Sequence, residues 1–268
     1  MSTGAPIGSE SARPVGVFDS GVGGLSILRA LRAALPHEDF VYFSDAAHAP
    51  YGERDEAFVT QRSLAITQEL VTQHGIKALV VACNTATAAA VQLLRAAHPE
   101  IPIVGVEPAL KPAASLSSTS RIAVFATRAT LASARFRALQ RSLQAAATFV
   151  LQPCDGLAAA IEADDATETI ALCARYTSTA GQFGSNPGQM DTLVLGCTHY
   201  PFAAQHLKHL LPATVRLVET GEPVARQVAR LLEARGLLRG GHRAGTLQLL
   251  SSGDLAPLQA AAGRWLAA

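Results

Sequence analysis

Leu79-Val80-Val81-Ala82-Cys83-Asn84-Thr85 and Leu193-Val194-Leu195-Gly196-Cys197-Thr198-His199 are two versions of one phrase. Each is a short apolar run that ends in a cysteine, passes through polar and hydroxyl residues, and enters a helical stretch. An unbroken apolar run of this length reads as a strand buried on both faces, as in parallel sheets covered by helices. Ligands of open α/β sheets bind at the carboxyl ends of strands. Both cysteines therefore stand where chemistry is expected. Each also precedes a helical stretch, whose free N–H groups and dipole would favour a thiolate.

The same alternation extends outward from both phrases. Val15 to Phe18, Phe40 to Phe43 and Ile103 to Val106 read as further strands. The intervening helices are marked by Leu25, Leu28, Leu31 and Leu35, by Asp55 to His74, and by Ala86 to Ala97. The pattern restarts with strands at Arg121 to Phe125, Phe149 to Leu151, Thr192 to Leu195 and Val215 to Val218. Helices are predicted over Leu131 to Leu143, Leu157 to Ala163, Thr167 to Thr179, Phe202 to Leu211 and Val224 to Leu232. Leu247 to Leu250 is a last strand, and Gly181 to Gln189 a loop. This order predicts an α/β protein of two lobes, each a mainly parallel sheet flanked by helices. Two such lobes meeting face to face would place an active site between them, with one cysteine on each side of a small substrate. Pro102 to Pro112 is the best crossing between lobes and Thr220 to Pro223 the best return. Lobe one is expected over residues 1–105, lobe two over 106–217, and a return to lobe one over 218–268. Within lobe one, residues 1–14 read as a loose Ser/Gly/Pro/Ala-rich tail.

Composition narrows the function classes. The 268 residues are 49% hydrophobic, with Lys+Arg 22 against Asp+Glu 21. No basic patch or stripe points to nucleic acid. No apolar run is long enough to cross a bilayer, and the N-terminus lacks the features of a signal peptide. A cytoplasmic protein is expected. The cysteines, Cys83, Cys154, Cys173 and Cys197, have no C-x-x-C spacing, so neither a zinc site nor a redox motif is expected.

A cysteine usually packs as a small buried hydrophobe. A duplication that was only structural would not need one in both copies. Moving a proton at a carbon centre without retaining configuration calls for a base on one face and an acid on the other, and a thiol serves in either role once its environment adjusts it. Pyridoxal phosphate would need a Schiff-base lysine. The lysines are Lys77, Lys111 and Lys208, none in a recognisable cofactor turn. No cofactor and no metal are expected.

Phe18-Asp19-Ser20-Gly21-Val22-Gly23-Gly24 reads as a strand-to-helix turn. Ser26 stands where G-x-G-x-x-G needs its third glycine, so the dinucleotide reading is weak. The turn still offers N–H groups to an anion such as a carboxylate. Asp19 reads as a helix cap or as a group that charges a nearby cysteine. His199 could tune Cys197. By composition Glu162 reads as a surface charge and Ala49-Pro50-Tyr51-Gly52 as a turn.

Four motifs together resemble the bacterial glutamate racemases: Phe18 to Gly24, Pro50-Tyr51-Gly52, Ala82-Cys83-Asn84-Thr85-Ala86, and Gly196-Cys197-Thr198-His199-Tyr200-Pro201. They occur in that family's order, and the likeness covers nearly the whole chain from Val15. The resemblance implies two pseudo-symmetric lobes and interconversion of L- and D-glutamate without cofactor, D-glutamate then entering peptidoglycan. It implies that Cys83 takes the α-proton from D-glutamate and Cys197 from L-glutamate, with Asp19 assisting the first and His199 the second. It implies a pocket of Asp19, Ser20, Tyr51, Gly52, Asn84, Thr85, Thr198 and His199, joined by Glu162 as a further catalytic residue. A homodimer, and activation by a cell-wall precursor as in some relatives, are further expectations. Ser44-Asp45-Ala46 and Ala126-Thr127 depart from the family's usual Gly-Asp-Thr and Gly-Thr. An aspartate racemase, a cysteine hydrolase using Cys83, and a glutamate-binding protein remain the alternatives.

Overall fold

The computed structural model describes residues 10–266. Among the described residues nine strands form two sheets, and every pairing between named strands is parallel. The first sheet contains β1 (Val15–Asp19), β2 (Phe40–Ser44), β3 (Ala78–Val81), β4 (Ile103–Gly105) and β9 (Leu247–Ser251), in the order β4-β3-β1-β2-β9. The second contains β5 (Arg121–Ala126), β6 (Thr148–Pro153), β7 (Thr192–Leu195) and β8 (Arg216–Val218), in the order β6-β5-β7-β8. The central strands β1, β3 and β7 are buried along their whole length, and they are apolar except for Asp19 at the end of β1 and Thr192 at the start of β7.

Parallel neighbours need crossovers, and helices supply them. In the first half these are α1 (Leu25–Ala34), α2 (Glu56–His74), α3 (Asn84–Ala97) and α4 (Leu110–Leu116). In the second they are α5 (Arg128–Ala132), α6 (Ala134–Ser142), α7 (Leu157–Glu162), α8 (Ala166–Ala180) and α9 (Ala204–Leu210). The chain closes with α10 (Gly221–Ala234) and α11 (Ala256–Leu266). Local signals set several ends. Asp55 caps α2 by accepting from the Phe58 N–H at 2.7 Å, and Gly75 closes it at φ 57°, a conformation that suits glycine.

Several sequence expectations need correction. The helix predicted over Leu131 to Leu143 is two helices. Ser133 takes an extended conformation and its hydroxyl caps α6 through the Phe136 N–H at 3.1 Å. The helix predicted over Phe202 to Leu211 begins with a 3-10 turn, Tyr200–Ala203, with Pro201 at its start. The proline-rich crossing contains α4, with Pro112 in the first turn where a missing N–H costs nothing. The helix α11 has no counterpart in the sequence reading; Trp265 stacks on Phe202 with ring centroids 4.3 Å apart. Of the tail expected through Pro14, residues 1–9 lie outside the described residues. Glu10–Ala12 forms a 3-10 turn, and Lys77 donates to the Ser11 carbonyl at 2.6 Å.

One hydrophobic cluster joins the two sheets, including Val17 and Val80 from the first and Phe125 and Leu193 from the second. Gly221 lets α10 lie close on α1, where an added Cβ would stand 3.0 Å from that of Ala30.

Candidate active site

The strand registers superimpose the two halves residue by residue. Phe18 pairs with Val81 across β1 and β3, and Phe125 pairs with Leu195 across β5 and β7. The next residues repeat the same bond: Ala82 N–H to Phe18 O, and Gly196 N–H to Phe125 O, both 2.7 Å. Cys83 and Cys197 each follow one residue later. They are the same position in two copies of one sheet. By the same register Asp19 corresponds to Ala126, and Asp45 to Cys154. The halves therefore share a frame and differ in the groups that serve each thiol.

Cys83 is buried and stands at the N-cap of α3, where its Sγ accepts from the Ala86 N–H at 3.4 Å and lies 3.9 Å from Ser20 Oγ. The helix terminus was expected to favour a thiolate. Burial outweighs it: desolvation, then the negative charge of Asp19, hold this thiol well above its ordinary value, against the Ala86 N–H. Asp19 is fully buried at the end of β1, and its Oδ2 accepts from the Gly24 N–H at 2.6 Å. Its other oxygen has no hydrogen-bond partner. Burial raises this carboxyl to about 6, with the His199 charge opposing and the Glu162 charge adding. Asp19, expected in the substrate pocket, is not among the residues that line the cavity; Ser20 and Cys83 beside it are.

Cys197 is served differently. No α-helix begins at Cys197, because the chain goes into the 3-10 turn first and α9 starts only at Ala204. The expected helix-terminus stabilisation does not apply there. Its Sγ lies 3.7 Å from His199 Nδ1. His199 Nε2 meets Glu162 Oε2 at 2.6 Å, and the Glu162 carboxylate also accepts the Val22 N–H at 2.9 Å. Burial lowers the His199 proton affinity, but hydrogen bonding to Cys197 and Glu162 more than restores it, and the imidazole is held well above its ordinary value. The same ion pair keeps Glu162 below the usual glutamate range despite desolvation.

This relay explains the glycine turn. A Cβ on Gly23 would stand 2.3 Å from His199 Nδ1, and one on Gly21 would stand 2.3 Å from Glu162 Oε2. Side chains of the second half lie flat on the backbone of the first, which leaves no room for one here. Tyr42 OH braces the turn from below by donating to the Gly21 carbonyl at 2.7 Å.

Both cysteines line a cavity of about 310 Å³, at the small end of the range for small-molecule sites. The structure brings Ser20, Tyr51, Gly52, Asn84, Thr85, Thr198, His199 and Glu162 to the same cavity. Asn84 donates to the Val106 carbonyl at 3.2 Å and keeps a buried, unpartnered Oδ1. Thr85 meets Thr127 across the lobes, Oγ1 to Oγ1 at 3.2 Å, and Gly52 lies against Thr127 as well.

Sequence reasoning missed what holds Tyr51. Its hydroxyl donates to Asp45 Oδ2 at 2.5 Å, and Arg62 grips the same carboxylate at 2.9 and 2.7 Å. In sequence Ser44-Asp45-Ala46 is only a departure from the family's usual Gly-Asp-Thr, and nothing local pairs Asp45 with Arg62, 17 residues away on α2. Arg128, Cys154 and Asp155 also line the cavity unannounced. Among the described residues no three His, Cys, Asp or Glu side chains are grouped to hold a metal ion, and no helix is long and apolar enough to cross a membrane.

The chain is similar to known proteins over nearly its whole length. The family profile described as Asp/Glu/Hydantoin racemase matches residues 25–228. A glutamate racemase of Ectopseudomonas mendocina is 46% identical over 254 residues, covering 94% of each chain. The crystal structure of Escherichia coli glutamate racemase in complex with L-glutamate and the activator UDP-MurNAc-Ala is similar with a TM-score of 0.81 and 30% identity, over 94% of this chain and 95% of that one. The Francisella tularensis glutamate racemase in complex with D-glutamate gives 0.80 and 26%, over 96% and 95%. Two register-matched strand-end cysteines in one cavity, on a fold and sequence shared with these enzymes throughout its length, identify the chain as a member of the Asp/Glu/Hydantoin racemase family.

Proposed function

We propose that this enzyme interconverts L- and D-glutamate by a two-base mechanism, without an organic cofactor. The observation that carries the reading is the placement of Cys83 and Cys197 at equivalent strand ends on one cavity, each with its own proton partner. In the L-to-D direction the Cys197 thiolate takes the α-proton from one face and the Cys83 thiol delivers a proton to the other. The product leaves Cys197 as thiol and Cys83 as thiolate, and the D-to-L direction reverses each transfer. Asp19 exchanges a proton with Cys83. The His199 imidazolium, held by Glu162, stabilises the Cys197 thiolate. The unpartnered Asn84 Oδ1 suits the substrate ammonium, and Ser20, Tyr51, Gly52, Thr85 and Thr198 complete the substrate pocket.

Glutamate is favoured by the relatives at 46% identity and by the complexes with its two enantiomers. The activator in the Escherichia coli complex supports a role for the product in peptidoglycan synthesis, and with it a cytoplasmic enzyme that a cell-wall precursor regulates. We take a homodimer as its working state.

A circular dichroism assay of either glutamate enantiomer with purified protein and no added cofactor tests the reading. Turnover in heavy water should place deuterium on the α-carbon of the product. Cys83→Ala and Cys197→Ala should each stay folded and lose racemisation, whereas near-normal activity in either would sink the two-base mechanism. Faster turnover of aspartate than of glutamate would overturn the substrate assignment.

A further inference from the structure

Among the described residues the cavity wall carries one Lys or Arg side chain, Arg128. It follows Thr127, whose Oγ1 is tied both to Thr85 of the opposite lobe and to Thr130. Those bonds fix where Arg128 leaves the backbone. Its Nη2 meets Asp155 Oδ2 at 2.5 Å, with 68% of the arginine side chain and 53% of the aspartate exposed. Asp155 is fixed in turn: Tyr176 OH donates to its carbonyl at 2.5 Å, and Gly156 beside it turns the chain at φ 80°. Glu53 and Glu162 are the other acidic groups on the wall, and Glu162 is already engaged by His199 and the Val22 N–H.

An acidic amino acid reaches this cavity with two carboxylates, one ammonium and a single net negative charge. It meets a rim whose fixed cation is bound to a solvent-exposed carboxylate. An exposed ion pair holds its partners weakly. A second carboxylate therefore displaces Asp155 at little cost, and the planar guanidinium offers it two parallel donors. We propose that Arg128 recruits the substrate at the cavity mouth by exchanging Asp155 for a carboxylate of the incoming acidic amino acid. The proposal rests on the racemase reading above and adds a residue to it. Arg128 acts before the chemistry and touches neither thiol, so its loss weakens binding and leaves proton transfer intact. The two enantiomers are equally stable in water, so kcat/KM must fall equally in both directions.

Steady-state racemisation of L- and D-glutamate at several ionic strengths, with wild type, Arg128→Ala, Arg128→Lys and Asp155→Asn, tests this. Arg128→Ala is expected to raise KM about five- to tenfold, to keep kcat within about twofold, and to flatten the salt dependence of kcat/KM. Arg128→Lys keeps the charge and recovers part of the loss. Asp155→Asn frees the guanidinium and lowers KM. If wild type fails to racemise glutamate, the racemase reading falls and this proposal with it. If wild type is active and Arg128→Ala keeps both its KM and its salt dependence, the recruiting role is overturned while the racemase reading stands. A fall in kcat at unchanged KM also overturns it, because that would mark a merely structural part.

Discussion

Replacing Asp19 with asparagine separates what this carboxylate costs the fold from what it gives the chemistry. Asp19 is fully buried, with one oxygen bonded to the Gly24 N–H and the other without a partner. Burial raises its carboxyl from 3.8 to about 6. In the unfolded chain the group returns to 3.8, so between these values the native state binds the proton more tightly. Its contribution to stability is therefore most favourable below the lower value, falls as pH rises toward about 6, and is constant above. The gap corresponds to about 3 kcal/mol of penalty at neutral pH. Asparagine keeps an acceptor for Gly24 and carries no charge. Asp19→Asn should thus be more stable than wild type near neutral pH, by about 1–3 kcal/mol, with the advantage closing as pH falls. Urea unfolding followed by far-ultraviolet circular dichroism across that range reads the difference. The same variant should lose racemisation by about 10²-fold or more, since the proton carrier beside Cys83 is gone. A variant less stable than wild type near neutral pH, or a gap that widens on acidification, would refute the reasoning.

Gly23→Ala should cost about 10²-fold in kcat, because the new methyl displaces His199 from Cys197. Gly263→Ala, where nothing lies within 4 Å, is the matched control and should keep full activity; equal loss in both would remove the steric account of the turn. Glu162→Gln removes the charge that helps His199 keep its proton against burial. The alkaline limb of the activity profile should move to lower pH, and an unmoved limb in a pH–rate series would count against the relay.

The chemistry at strand ends was legible in the sequence because it is local. A strand-length apolar run has to be buried, so the chain beyond Val81 and Leu195 had to carry Cys83 and Cys197 to the carboxyl edge of a parallel sheet. Helical spacing of Leu25, Leu28 and Leu31, the Asp55 cap and the Gly75 stop are also short-range signals, and the elements formed where those signals lie. Glu162, in contrast, reads from sequence as a surface charge. Its bond to His199, 37 residues on, exists because α7 and the turn after β7 face each other once the second sheet forms.

Sequence determined the parallel α/β class, the two cysteine turns and the family. Tertiary structure decided how each thiol is served. The register shows that Asp19 has only Ala126 as its counterpart, so Cys83 works beside a buried carboxylate and Cys197 beside an imidazolium. It turned the expected thiolate of Cys83 into a thiol, because desolvation depends on all that packs around a group, not on its neighbours in the chain. It also gave the glycines of the first turn their reason, since Gly21 and Gly23 are small to admit His199 and Glu162 from the opposite lobe. Periodicity and capping act over a few residues and are written in order along the chain. Burial, charge coupling and close approach act through space, and only the folded chain brings those partners together.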